Sequence, residues 1–153
     1  MKAARDLGAQ YHPCLVIDAS VALEWLEAGT QAAPAYALRV MRALPSQTVV
    51  PSIFGLEVTN AIVRRERKGV LGTEDAAAFF LLLGEIGIEC DELPMWPPPP
   101  AIVDLSRRHG LTPYDASYLE LAIRRRAPLA TLDEALLRAA ALEGVARFDP
   151  AGA

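Results

Sequence analysis

Cysteine is scarce: Cys14 and Cys90 stand alone among 153 residues, far apart and at no metal-ligand spacing. Met1 to Gln10 carries Lys2 and Arg5 but no apolar leader segment. Two lone thiols without an export signal point to a reducing, cytoplasmic location. No apolar run approaches the roughly 18 residues of a membrane span, so no membrane partner is expected. The two histidines, His12 and His109, are isolated, and the two lysines, Lys2 and Lys68, lie near a terminus and at a helix end. Positive charge is short as well, with 19 acids against 15 bases and a net charge of −4. That balance excludes a polycation that coats nucleic acid nonspecifically. It leaves room for a nucleic-acid enzyme, because divalent cations held by acids would offset the deficit locally. There is no Asn-Gly hairpin signal, no internal repeat and no domain boundary.

What is present is an apolar chain, 52% hydrophobic, with strand and helix signals alternating. Residues 1–13 read as an N-terminal extension. Cys14-Leu15-Val16-Ile17 reads as a strand buried on both faces. A helix follows with Ser20 available as its cap, Val21, Ala22, Trp25 and Leu26 as its stripe, and Gly29 as its stop. Pro34 opens a second helix through Leu44. Thr48-Val49-Val50 is β-branched, a second buried strand leading through Pro51-Ser52 into a helix whose inner face carries Ile53, Phe54, Val58, Ala61 and Ile62. The next helix opens at Thr73 with Ala77, Phe80, Leu81 and Leu83 as its apolar residues. A weaker strand spans residues 88–93. The four prolines from Pro97 to Pro100 suit a stiff connector into a helix over 101–108 better than a recognition segment. A helix over 113–126, a strand over 129–132, a helix to about Leu142 and a last strand over 145–148 complete the pass. Residues 149–153 form a tail. Such alternation predicts a mainly parallel sheet covered by helices on both faces, with ligands beyond the carboxyl ends of its strands.

Four acids fall at strand ends or early in helices: Asp18, Glu57, Asp115 and Asp133. Taken singly, Asp115 suits the helix begun by Thr112 and Pro113, and Asp133 suits an N-cap. Asp18 ends an apolar run, and Glu57 borders an apolar stripe, where a lone charge is costly. Four carboxylates brought together require protons or a cation. Oxygen ligands without histidine or cysteine select Mg²⁺, with Mn²⁺ as a substitute, over zinc.

Four stretches carry a family resemblance: Leu15-Val16-Ile17-Asp18-Ala19-Ser20, Pro51-Ser52-Ile53-Phe54-Gly55-Leu56-Glu57, Leu111-Thr112-Pro113-Tyr114-Asp115-Ala116-Ser117-Tyr118, and Leu129-Ala130-Thr131-Leu132-Asp133. In this order they resemble the PIN-domain family, and within it the VapC toxins of bacterial toxin–antitoxin pairs, over nearly all of residues 14–148. The resemblance implies an α/β/α sandwich forming one nuclease domain over 14–148, with Asp18, Glu57, Asp115 and Asp133 as catalytic and metal-holding acids. Ser20 and Thr131 match supporting hydroxyls, and Asn60 matches a frequent asparagine one turn past the glutamate. The implied activity is a Mg²⁺-dependent endoribonuclease that cleaves RNA phosphodiester bonds with a metal-activated water. The implied partners are RNA, a VapB-like antitoxin and a second copy of the chain. An excess of helix-borne aromatics, Trp25, Tyr36, Phe79 and Phe80, agrees with self-association.

Arg64, Arg65, Arg67, Arg107, Arg108, Arg124, Arg125 and Arg126 are the candidates for gripping phosphate. A dehalogenase-like phosphatase would need a second aspartate where Ser20 stands, and a phospho-accepting receiver domain a lysine at the site. A PIN-like binding module without catalysis, or another metal-dependent phosphohydrolase, are the remaining alternatives.

Overall fold

The computed structural model describes residues 14–28 and 34–150. The expected extension, the helix stop at Gly29 and the last three residues lie outside them. Four parallel strands form the sheet: β1 (Cys14–Ile17), β2 (Gln47–Pro51), β3 (Glu89–Asp91) and β4 (Leu129–Ala130), in the order β3-β2-β1-β4. Leu15, Val16 and Ile17 are fully buried, as an unalternating apolar run at the centre of such a sheet must be.

The chain steps from β1 to β2 to β3 in one direction and then returns past β1 to β4. Right-handed crossovers therefore put the helices before β3 on one face and those after it on the other. The first face carries α1 (Ala19–Leu23), a 3₁₀ turn (Glu24–Glu27), α2 (Ala35–Arg42), α3 (Phe54–Arg67) and α4 (Thr73–Ile86). There α1 packs on α3, α2 packs on the 3₁₀ turn, and the Trp25 indole N–H donates to the Ala37 carbonyl at 2.9 Å. The second face carries α5 (Pro100–His109), α6 (Pro113–Arg125) and α7 (Glu134–Leu142), with α6 packed between the other two and against β1, β2 and β4. The mixed α/β architecture expected from the alternation is present. Pro99 and Pro100 lead directly into α5, with Pro100 in its first turn.

Four local expectations change. The expected last strand is reduced to a single parallel bridge between Leu129 and Arg147, flanked by Leu129 N–H to Ala146 O and Phe148 N–H to Leu129 O. Strand β4 stops after two residues because the next amides turn to hydroxyls: Leu132 N–H donates to Ser20 Oγ and Asp133 N–H to Thr131 Oγ1, each at 3.0 Å. In α4 the buried residues are Ala76 and Phe79, while Phe80 and Leu81 are 41% and 71% exposed. That helix is apolar nearly all round, so periodicity alone does not select its inner face. The first helix begins at Ala19, placing Asp18, not Ser20, at the N-cap position.

Candidate active site

Sheet order reverses beside β1, whose neighbours β2 and β4 are reached by crossovers on opposite faces. Such a switch point leaves a crevice at the carboxyl ends of the strands. Asp18 lies at that point. Its backbone N–H donates to the Ala130 carbonyl at 2.9 Å, tying the end of β1 to the end of β4. Its carboxylate is only 5% exposed, and Oδ2 accepts from both the Ser20 hydroxyl and, at 2.7 Å, the Thr131 hydroxyl. Thr131 is fully buried and works in two directions, donating to Asp18 and accepting from the amide of Asp133. Despite its N-cap position, Asp18 makes no side-chain cap to α1.

Glu57 lies in the first turn of α3, half-buried, and Oε2 accepts from the Tyr118 hydroxyl of α6. Asp115 lies in the first turn of α6. Thr112, the N-cap, accepts from the Asp115 amide at 3.1 Å and donates to Asp115 Oδ2 at 2.6 Å. Asp133 caps α7, with Oδ1 accepting from the Leu136 amide at 2.7 Å. All four acids thus sit at helix beginnings, where the positive end of each peptide dipole array favours negative charge. Each uses one oxygen to be held in place. The other oxygen accepts from no side chain among the described residues.

Electrostatics single out three of them. Burial pushes the Asp18 carboxyl above the ordinary carboxylate range against the pull of its two hydroxyl donors, and the charge of Asp115 adds to the rise. Glu57 is also raised, first by burial and then by the charges of Asp18 and Asp115, while Tyr118 opposes the shift. Asp18, Glu57 and Asp115 therefore share one field. The Asp133 backbone amide is tied to Asp18 through the Thr131 hydroxyl. As the side chains stand, no three histidine, cysteine, aspartate or glutamate groups among the described residues are drawn tightly enough to form an ion site. The donor chemistry nonetheless fits a hard divalent cation, being carboxylate and hydroxyl oxygen only. Asn60 is exposed and its side chain makes no hydrogen bond among the described residues, and His109 is turned away to Glu143 at 2.6 Å.

Two features escape a reading of the sequence. Tyr118 is one, fully buried and bonded to Glu57, with burial and that carboxylate holding its phenol ionisation far above the ordinary value. Its spacing of one helical turn from Asp115 is the signal that could have found it. The other is an ion-pair cluster on β3. Asp91 receives Arg124 at 2.7 Å and Arg125 at 2.8 Å, and Arg124 also holds Glu120 at 2.8 Å. Arg108 is likewise paired with Glu143. Of the eight arginines expected to grip phosphate, these three already have anionic partners.

A PIN domain family model matches residues 15–142, which span all four acids. The chain belongs to the PIN-domain family. Among solved structures, that of PAE2754 from Pyrobaculum aerophilum is similar, with a TM-score of 0.59 and 25% identity over 82% of this chain and 84% of that one. No curated protein matches. PIN domains are commonly nucleases and typically use divalent metals, so membership supports a hydrolase of the nuclease type for this chain. No helix among the described residues is long and apolar enough to cross a membrane.

Proposed function

We propose that this PIN domain is a Mg²⁺-dependent endoribonuclease, the toxin of a toxin–antitoxin pair of the VapC kind, acting in the cytoplasm. The observation that carries the reading is the buried Asp18 carboxylate at the sheet's switch point, within the field of Glu57 and Asp115. An uncompensated cluster of this kind is costly, and a divalent cation relieves both the burial and the repulsion. Asp18, Glu57, Asp115 and Asp133 would hold the cation through the oxygens they leave free. When bound, Mg²⁺ supplies the charge that lowers a water's pKa and offsets negative charge on phosphate. Ser20 and Thr131 fix the orientation of Asp18, so its free oxygen needs no reorganisation. Arg64, Arg67, Arg107 and Arg126, which have no ion pair among the described residues, remain available for the RNA backbone.

The partner proposals follow the same resemblance: a small VapB-like antitoxin and a second copy of the chain. Trp25 and Phe79 are core and carry no argument for association. The outward stripe of α4, formed by Ala77, Phe80, Leu81 and Gly84, carries it instead.

The test is cleavage of total RNA by purified protein with Mg²⁺ and with chelator. Wild type is expected to cut only with Mg²⁺, and folded Asp18→Asn and Asp115→Asn to lose at least a hundredfold in rate, the scale set by removing one charge-stabilising group. Wild-type protein that binds RNA without cutting it would instead favour a binding module.

A further inference from the structure

Tyr118 carries a hydroxyl into a site with no solvent access. A buried phenol needs an acceptor, and many backbone carbonyls could serve. The acceptor here is a carboxylate, Glu57 Oε2. If Glu57 served only to satisfy the phenol, phenylalanine opposite an apolar residue would remove both the buried hydroxyl and the half-buried charge at little cost. The bond also joins separate layers. Glu57 stands on α3 on one face of the sheet, and Tyr118 on α6 on the other, one turn after Asp115. The phenol further meets the backbone of Ala19 and the charge of Asp18, so it lies beside two of the four acids.

We infer that Tyr118 is a positioning residue for Glu57, anchoring Oε2 so that Oε1 is presented toward Asp18 and Asp115. This rests on the reading of those acids as a cation site. A glutamate at the start of a helix has three side-chain torsions and, half-exposed, would otherwise swing toward solvent. The phenol ring is locked by complete burial, so its hydroxyl fixes one carboxylate oxygen across the rim. Hydrogen-bond partners of metal ligands act in this way, and their loss typically weakens metal affinity about 10–100-fold.

The experiment titrates Mn²⁺ into the full chain and counts free ion by its paramagnetic resonance signal, without RNA. Four proteins are compared: wild type, Tyr118→Phe, Glu57→Gln and the double variant. Tyr118→Phe is expected to weaken Mn²⁺ binding roughly tenfold or more. In the Glu57→Gln background the same change is expected to do nothing further, because Tyr118 acts through that carboxylate. Equal affinity of wild type and Tyr118→Phe overturns the inference, as does the same loss in both backgrounds. Should Tyr118→Phe not fold, Glu57→Asp withdraws the carboxylate from the phenol while keeping its charge, and wild-type affinity in that variant overturns it equally. Wild type that takes up no Mn²⁺ removes the cation site, and the inference with it.

Discussion

At the scale of single residues, Asp18 is a carboxylate held where its charge is costly. Asparagine in its place keeps an oxygen for the Ser20 and Thr131 hydroxyls and sheds the buried charge. In chelator, Asp18→Asn is therefore expected to melt at or above the wild-type temperature. Mg²⁺ at about ten times its dissociation constant should stabilise wild type alone by about 1.4 kcal/mol. For a domain of this size that is a shift of roughly 2–4 °C per kcal/mol. Calorimetry in the two buffers checks the crossing, and parallel melting curves would count against a cation at Asp18. A second residue is under backbone strain. Arg126 ends α6 in the left-handed region, at φ 51°, where other helix ends of this chain use Gly87 and Gly110. Arg126→Gly is expected to raise stability by roughly 0.5–1 kcal/mol, part of the left-handed penalty being offset by glycine's greater freedom when unfolded. Denaturant titration reads the change.

At the scale of elements, the Asp91 cluster pins the edge strand β3 to the end of α6. Hydrogen bonding from Arg124, then from Arg125, holds the Asp91 carboxyl at about 2, below its ordinary 3.8. The sign follows from linkage: a depressed carboxylate adds stability that is complete above the unfolded value and lost as pH falls toward 2. Asp91→Asn is expected to cost roughly 1.5–3 kcal/mol at neutral pH, toward the lower end because both guanidinium groups can rehydrate. The variant should also flatten the fall in stability between about pH 4 and 2, where this group titrates. Urea melts across that range measure both effects. Elements are also where the sequence was most and least legible. Buried strands, proline starts and the Thr112 cap are local chemistry and were readable. The inner face of α4 was not, because Ala76 and Phe79 differ from Ala77 and Phe80 only in what packs beside them. The rim position of Asp18 and Asp133 followed from the alternation of elements. Tyr118 on Glu57 and Arg124 on Asp91 span 61 and 33 residues, distances over which periodicity carries no information.

At the scale of the whole molecule, the outward stripe of α4 bears on assembly. An exposed Leu81 flanked by Ala77, Phe80 and Gly84 is the type of face a second copy can cover. Wild type is expected to sediment as a dimer at micromolar concentration, and Leu81→Arg as a monomer with unchanged secondary structure. A monomeric wild type would remove this face from the argument. The pairing of β1 with β4 has another consequence, one of timing. The Asp18 carboxylate waits for a hydroxyl 113 residues further along the chain. At roughly 5–20 residues per second of synthesis, that wait lasts about 6–23 s. Throughout it the nascent chain holds Asp18 without the Thr131 clasp, and from the start of synthesis until then β1 has at least one open edge. The segment that completes the clasp is thus made 113 residues after the acid it orients. Until that segment is made, the candidate site lacks one of the two hydroxyls that orient Asp18.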